Sequence, residues 1–163
     1  MSRFPPHIYV IPEDDRDRQV AGGFVLHDQL DARRIQVMPP AGGWRYVLKA
    51  FQDEYIRRLR ASPQDHVVML IDFDGCYDDR RLEFAQAVPD DLKDRVFVVG
   101  PRQTPEKLSK ELGKNYEAIG MSLAQDCYAG TTAIWGHAQL NHNDPDRQRL
   151  VQTIRPFLFK GAS

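Results

Sequence analysis

The stretch Val67-Val68-Met69-Leu70-Ile71-Asp72-Phe73-Asp74-Gly75 decides the fold class of this chain. Its five leading apolar residues, mostly branched, are typical of a strand that is buried on both faces, as in a parallel sheet. Ligands of open α/β sheets bind at the carboxyl ends of such strands, which is where Asp72 and Asp74 stand. Because side chains alternate along a strand, two carboxylates at this spacing point the same way. Paired hard oxygens suit Mg²⁺, although Asp and Gly residues also form plain turns.

The composition fits one domain of ordinary size with a real core, since the chain has 163 residues and 42% of them are hydrophobic. The 22 basic and 23 acidic residues give a net charge of −1, which argues against a wholly basic nucleic-acid-binding surface. Cys76 and Cys127 form neither a CxxC pair nor a zinc pattern, and we expect reduced thiols in a cytoplasmic protein. The first residues lack the apolar core of a signal peptide, and no run approaches the ~20 apolar residues of a membrane span.

Strands and helices alternate through the first two thirds of the chain. Besides the central strand, apolar runs predict strands at His7–Ile11, Arg34–Met38 and Arg95–Gly100. The clearest helix begins at Trp44, after which apolar residues recur every three or four positions. This alternation predicts an α/β fold with a mainly parallel sheet of four or five strands, Rossmann-like and with helices on both faces.

The last third of the chain is predicted to be helical. We expect a single domain over residues 1–163, with an α/β core at 7–112 and a helical C-terminal part at 113–163. One predicted helix follows Gly130-Thr131-Thr132 and carries Trp135, His137 and Leu140, and a last helix is predicted to begin with the cap-and-proline stretch Asn141-His142-Asn143-Asp144-Pro145. The apolar tail Pro156-Phe157-Leu158-Phe159 is expected to dock on the body, as a strand or otherwise.

A second acidic group, Glu13-Asp14-Asp15-Arg16-Asp17, follows the first predicted strand. Acidic residues favour the first turn of a helix, and a helix is predicted from about Asp15 to Leu30. That preference does not account for Glu13, which precedes the helix. The Gly22-Gly23 pair within this predicted helix either allows another backbone to approach closely or breaks the helix. Glu13 therefore stands at the same kind of place as Asp72 and Asp74, at the carboxyl end of a strand.

The order of these parts resembles the Toprim domain, the metal-dependent catalytic domain of topoisomerases, primases and the overcoming-lysogenization-defect nucleases. That family has a strand followed by a Glu, then a glycine turn, then a strand ending in Asp-x-Asp. The matching residues here are Glu13, Gly42-Gly43 and Asp72-Phe73-Asp74. One departure is Asp14, which stands where the family has a glycine. The resemblance covers about residues 7–112, and the tail from Trp135 onward is similar to that of uncharacterised bacterial proteins with such a core.

The Toprim resemblance implies a site and an activity. Glu13, Asp72 and Asp74 would be the catalytic residues and would hold Mg²⁺ or Mn²⁺. Glu106 follows the fourth predicted strand, as a Glu does in the nuclease branch, and would be a further metal ligand. The implied function is phosphodiester chemistry on nucleic acid, and the nuclease branch suggests an ATPase as a partner protein.

Three alternatives remain open from the sequence. Asp72-Phe73-Asp74-Gly75 is also similar to the nucleophile motif of haloacid-dehalogenase-type phosphatases, in which the first Asp is phosphorylated and the second is the acid or base. Glu13-Asp14-Asp15 resembles the acidic pair of a receiver domain, although the gap to Asp72 is long. The chain could also be a non-catalytic α/β binding module. His137 and His142 are five positions apart, a spacing that does not place two side chains together on one helix.

Overall fold

The computed structural model describes residues 5–161, which form a four-stranded sheet in the order β2-β1-β3-β4 with parallel neighbours throughout. The strands are β1 (His7–Pro12), β2 (Ile35–Val37), β3 (Asp65–Leu70) and β4 (Val96–Val99). The predicted α/β fold with a parallel sheet is therefore confirmed, and the central apolar stretch forms an inner strand as its buried composition requires.

The strand order places a switch point between β1 and β3, which pair directly with Val10 opposite Val68 and Pro12 opposite Leu70. From β1 the chain moves outward to β2 on one side, whereas from β3 it moves outward to β4 on the other. The connections therefore leave a crevice at the carboxyl ends of β1 and β3, and open α/β sheets bind ligands at such crevices. Glu13 and Asp72 follow these two strands.

Helices cover both faces of the sheet. They are α1 (Asp15–Val25), α2 (Trp44–Ala50), α3 (Ile56–Ala61), α4 (Tyr77–Ala87), α5 (Pro105–Leu112), α6 (Tyr116–Ala129), α7 (Asp144–Thr153) and α8 (Arg155–Leu158). A π-helical turn, Phe51–Tyr55, joins α2 to α3, and short 3₁₀ turns lie at Ala32–Arg34, Asp90–Arg95 and Asn141–Asn143. Within residues 5–161, no helix is both long and apolar enough to cross a membrane.

The strand side chains alternate between two cores, as the period of a strand dictates. Val67, Met69 and Ile71 pack on one face with residues of α2, α3 and α4. Ile8, Val10 and Phe97 pack on the other face with residues of α1, α6, α7 and α8. Burying each such side chain contributes about 1.5–3 kcal/mol, so both helical layers are fixed to the sheet.

Close packing between α1 and α6 depends on two glycines. A Cβ on Gly23 would lie 2.0 Å from the carbonyl oxygen of Glu117, and one on Gly120 would lie 1.9 Å from that of Val20. Gly23 thus serves a close backbone approach, and α1 continues through the glycine pair to Val25 rather than to Leu30. This contact fixes the position of α1, whose first turn faces the crevice.

Side chains of the C-terminal part cover the outer edge of β4. The Asn143 side chain accepts a hydrogen bond from the Gly100 N–H (3.1 Å) and donates one to the Gly100 carbonyl (2.9 Å). Asp146 accepts from the Val98 N–H (3.0 Å), and Arg149 donates to the Val96 carbonyl (3.0 Å). These groups take the place of a further strand, because unpaired edges expose backbone donors and acceptors.

One prediction about the C-terminal part is wrong, and another is confirmed. The helix predicted after Gly130 is replaced by turns, because the Asp126 carboxylate binds Thr131 Oγ1 and the N–H groups of Ala133, Ile134 and Trp135. A side-chain acceptor therefore satisfies amides that a helix would direct to its own carbonyls. The tail docks as predicted, with Phe159 2% exposed, but it forms α8 and a single bridge to Leu30 rather than a strand.

Candidate metal site

Backbone pairing at the switch point brings Glu13 and Asp72 together. The Glu13 N–H donates to the Leu70 carbonyl (2.9 Å), which continues the β1–β3 pairing past the end of the strands. The Asp72 N–H in turn donates to the Glu13 carboxylate (3.4 Å). The two residues are 59 positions apart in sequence, yet parallel pairing in register places them side by side.

The first turn of α1 adds two further acidic residues. Asp14 is the N-cap of the helix, and its carboxylate accepts a hydrogen bond from the Asp17 N–H (3.1 Å). Asp17 lies on the same helical face as Val20 and points toward the sheet, so its side chain meets Asp72. One carboxylate oxygen from each of Glu13, Asp14, Asp17 and Asp72 lies within 4.8 Å of the others. We call these four residues the acidic pocket.

Three members of the acidic pocket are buried, since Glu13 is 8%, Asp17 1% and Asp72 4% exposed. Within the described residues, Oδ2 of Asp17 and Oδ1 of Asp72 are buried and accept no hydrogen bond from a group outside the pocket, so within the protein only a proton on a neighbouring carboxyl can pair them. Burying a carboxylate oxygen is costly unless it is protonated, paired or bound to a cation. The pocket thus needs either protons or a cation to balance its charge.

The pKa values of the pocket carboxyls show how strongly the site opposes three negative charges. Burial, followed by the charge of Asp72, raises the pKa of Asp17 to about 11. The same two causes raise the pKa of Glu13 to about 8. Burial raises the pKa of Asp72 to about 6, although hydrogen bonds from Asp17 and Glu13 act in the opposite direction. At neutral pH without a cation, the pocket therefore holds protons on Glu13 and Asp17.

Asp14 differs from the other three members because it has partners outside the pocket. Burial alone would raise its pKa, but hydrogen bonds from the Asp17 N–H and the Arg16 guanidinium (2.9 Å) lower that pKa instead. Arg16 also forms an ion pair with Glu106. Asp14 is therefore an ionised edge of the pocket whose charge is already shared with a neighbouring cation.

No protein-family model, curated protein or solved structure matches the chain. The function of the site is therefore inferred from its geometry and from the residues that compose it. Among residues 5–161, the acidic pocket is the one group of three or more His, Cys, Asp or Glu side chains close enough to hold an ion.

The structure brings together two of the four predicted metal ligands, Glu13 and Asp72, and places the other two elsewhere. Asp74 has a φ of 51° and turns its half-exposed carboxylate toward Arg80 (2.6 Å). Glu106 stands in the first turn of α5 and pairs with Arg16. Neither joins the acidic pocket, and their roles as metal ligands stay predictions.

Asp14 and Asp17 are the pocket residues that the sequence does not predict as ligands, and Asp17 is the buried one of the two. Strand alternation does not extend to Asp74, because β3 ends at Leu70 and the chain turns after Asp72. Helical periodicity could have pointed to Asp17, because it precedes the inward-facing Val20 by three positions. An acidic residue on the buried face of a helix is unusual and is a signal in its own right.

Two other sequence candidates have structural roles. The N–H groups of Gly42 (2.9 Å) and Gly43 (3.2 Å) both donate to the Glu13 carbonyl, so this turn supports the residue after β1. His137 Nδ1 accepts from the Gln139 N–H (3.0 Å), whereas His142 Nε2 lies 2.8 Å from the Gly100 carbonyl oxygen. The two histidines therefore bind separate parts of the backbone and do not form a shared site.

Proposed function

We propose that the acidic pocket binds Mg²⁺ or Mn²⁺ and that the protein performs metal-dependent phosphodiester chemistry on nucleic acid. The observation that carries this proposal is the gathering of three buried carboxylates, two of which have an unpartnered buried oxygen, at the switch point of the sheet. A purely structural role would favour pairing these oxygens with N–H or O–H donors of other residues, which the described residues outside the pocket do not provide.

The chemistry of the donor set fits a hard divalent cation. Glu13, Asp17 and Asp72 offer carboxylate oxygens, with no thiolate or imidazole among them, and such oxygens suit Mg²⁺ and Mn²⁺. These three residues would hold the ion, with Asp14 at the edge. A bound ion of this kind would polarise a phosphoryl oxygen and stabilise the charge that develops during transfer.

The nucleic-acid substrate is supported by the Toprim-like order of Glu13, the glycine turn and the Asp72–Asp74 motif. Arg80 holds the segment that carries the Asp72–Asp74 motif in place, because its guanidinium donates to the Asp72 carbonyl (2.9 Å) and to the Asp74 carboxylate. With a net charge of −1, the protein should bind nucleic acid weakly and in a salt-dependent manner. A partner protein that supplies more binding surface, such as an ATPase, is therefore part of the proposal.

Calorimetric titration with Mn²⁺ and Mg²⁺ tests the metal site. We expect the wild type to bind Mn²⁺ and the Glu13→Gln and Asp72→Asn variants to lose at least about tenfold in affinity, because each removes a charged oxygen donor. Asp15→Asn is the matched control, since Asp15 is an exposed acid of the same helix that pairs with Arg18. Absence of binding by the wild type, or equal binding by all variants, would rule out the site.

Plasmid nicking in the presence of Mn²⁺ tests the chemistry. We expect nicking by the wild type and none by the Glu13→Gln/Asp72→Asn double variant. Nicking that persists in the double variant would identify a contaminant and remove support for the activity. Hydrolysis of a small phosphate monoester that depends on Asp72, without nicking, would instead support the haloacid-dehalogenase-type alternative.

A further inference from the structure

Two guanidinium groups share one indole ring beside the acidic pocket. The guanidinium carbon of Arg80 lies 4.4 Å from the centre of the Trp44 ring, and that of Arg45 lies 4.7 Å from it. The two cations can therefore be no farther apart than the sum of these distances. We call Trp44, Arg45 and Arg80 the arginine–tryptophan rim.

The rim is connected to both chain segments that form the pocket. Trp44 directly follows Gly43, whose N–H binds the Glu13 carbonyl (3.2 Å). On the other side, Arg80 Nη1 donates to the Asp72 carbonyl (2.9 Å) and to the Asp74 carboxylate (2.6 Å). A ligand in the crevice therefore meets the rim next to the carboxylates.

Arg80 is held rigidly and has N–H donors that make no hydrogen bond within the described residues. Its side chain is 12% exposed and packs on Trp44, so its position is set before any ligand arrives. Both of its hydrogen bonds come from Nη1, whereas Nε and Nη2 have no acceptor among the described residues. A guanidinium has five N–H donors in a planar fork, which matches the oxygens of a phosphate.

Arg45 is the second cation of the rim, and it is exposed. Unlike Arg80, which pairs with Asp74, it is not paired with a carboxylate among residues 5–161. Arg16, also near the pocket, differs because Asp14 and Glu106 already neutralise it. Two positive charges on one indole repel each other, and Asp74 offsets only that of Arg80, so an anion beside Arg45 would relieve the remaining repulsion.

We infer that the arginine–tryptophan rim binds a phosphate group of the nucleotide or strand on which the acidic pocket acts. This inference rests on the proposed function and adds the residues that anchor the substrate. An anchor of this kind is needed because the pocket itself is negatively charged and repels phosphates until a cation is bound. Arg45 supplies charge, and Arg80 supplies both charge and directed donors.

Binding of a fluorescently labelled oligodeoxythymidine, followed by anisotropy at low salt, tests the rim. We expect Arg45→Gln to weaken binding about three- to tenfold, because it removes a phosphate contact without touching the pocket. Arg57→Gln is the matched control, since Arg57 is an exposed arginine of α3 with no acidic partner among the described residues, and we expect less than a twofold change. Arg80→Lys keeps the charge but loses the fork, and we expect an intermediate loss.

Each titration is run with Mn²⁺ and again in metal-free buffer, with inorganic pyrophosphate as a second probe. Weakened binding of both probes in Arg45→Gln supports a phosphate site open to small nucleotides, and weakened binding of the oligonucleotide alone places the anchored phosphate in a strand. Equal affinity of Arg45→Gln and wild type, or an equal loss in Arg57→Gln, would overturn the inference. Calorimetry with Mn²⁺ on Arg45→Gln should match the wild type within twofold, so failure of the rim and failure of the metal site give different results.

Discussion

Asp17 is the least exposed member of the acidic pocket and the one whose ionisation the fold opposes most. It lies beside Asp72 with an unpartnered buried oxygen, and burial raises its pKa to about 11. A residue of this kind lowers the stability of the metal-free protein at neutral pH, because folding must then either protonate the carboxyl or bury its charge. Sites that bind cations commonly show this cost, because function and stability place opposite demands on the same side chains.

Asp17→Asn should separate the two demands. Because the amide has the shape of the acid but no charge, we expect the free energy of unfolding at pH 8 to rise by about 1 kcal/mol while Mn²⁺ affinity falls at least about tenfold. Urea unfolding and calorimetry measure the two effects. Asp15→Asn, on the exposed face of the same helix, should change neither by more than a small amount.

A lower stability of Asp17→Asn together with wild-type Mn²⁺ affinity would show that Asp17 is a structural residue.

The Mn²⁺ affinity of Asp74→Asn tests whether Asp74 is a metal ligand. The Asp-x-Asp pattern predicts a loss of metal binding in this variant, whereas the geometry predicts a change of less than about threefold, since the Asp74 side chain faces Arg80.

Individual site residues could be predicted from the sequence only where the backbone alone determines their position. Glu13 and Asp72 were found because each follows a buried strand, and parallel strands end at the same edge. Asp74 lies outside the acidic pocket because its positive φ redirects its side chain, and Asp residues tolerate that conformation without a clear sequence signal. Asp17 was missed because its first-turn position has an ordinary explanation in the helix dipole.

At the scale of elements, the edge of β4 shows how the C-terminal part supports the site. Asp146 and Asn143 bind backbone groups of β4 and of Gly100, and Asn143 is 2% exposed. β4 pairs with β3, and the Ile71 N–H donates to the Val99 carbonyl (3.0 Å) just before Asp72. The stability of this edge therefore determines how firmly the segment that carries Asp72 is held.

Asp146→Ala should destabilise the protein through this edge. It leaves the Val98 N–H without its acceptor and removes a partner of Arg149, so we expect a loss of about 1–3 kcal/mol in the free energy of unfolding. Hydrogen exchange of the Val98 amide should become faster. Gln152→Ala, an exposed position on α7, is the control and should change the stability by less than about 0.5 kcal/mol. Unchanged exchange at Val98 would contradict the bridging role of Asp146.

Elements with local signals were predicted well. The helix α5 begins after the cap residue Thr104 with Pro105 at its first position and ends at Gly113 in the left-handed conformation, as those residue types indicate. The segment after Gly130 was predicted wrongly because its amides bind the Asp126 side chain, a competition between side chain and backbone that periodicity does not reveal.

At the scale of the whole molecule, the order of the strands determines whether a site exists. The alternation of strands and helices predicts a parallel sheet, but several strand orders satisfy that pattern. The observed order makes β1 and β3 neighbours, and only then do acids that are far apart in sequence share one crevice. The order depends on which apolar faces pack together, and this is a property of the complete core.

The pH dependence of stability follows from the raised pKa values of Glu13 and Asp17. A carboxyl whose pKa is higher in the folded state contributes stability that is complete below its unfolded pKa and is lost as the pH rises through its folded pKa. Between pH 6.5 and 8.5 the folded protein keeps protons that the unfolded chain has lost, and stability therefore falls. Glu13 contributes up to its folded pKa of about 8, and Asp17 contributes over the whole range because its folded pKa is about 11. Burial lowers the pKa of His142 to about 4 and also lowers the pKa of His7 and His66, so each of these histidines opposes the trend by no more than about 0.4 kcal/mol, mainly between pH 6.5 and 7.5.

We therefore expect the metal-free protein to lose at least about 1 kcal/mol, or ~3 °C in melting temperature, from pH 6.5 to 8.5. Saturating Mn²⁺ should remove or reverse this trend, because the cation takes the place of the protons. Asp17→Asn should show a shallower dependence than the wild type. Calorimetric melting curves measure all three, and a metal-free melting temperature that rises over this range would contradict the assignment.

The most direct test is an anomalous difference map from crystals of the protein soaked in Mn²⁺. We predict a single strong peak within bonding distance of carboxylate oxygens from Glu13, Asp17 and Asp72, with no ligand from Asp74. The same soak of Asp72→Asn crystals should show no peak at this position. Ordered wild-type density with no peak in the acidic pocket, or a peak bound only by Asp74 and Glu106, would contradict the central claim.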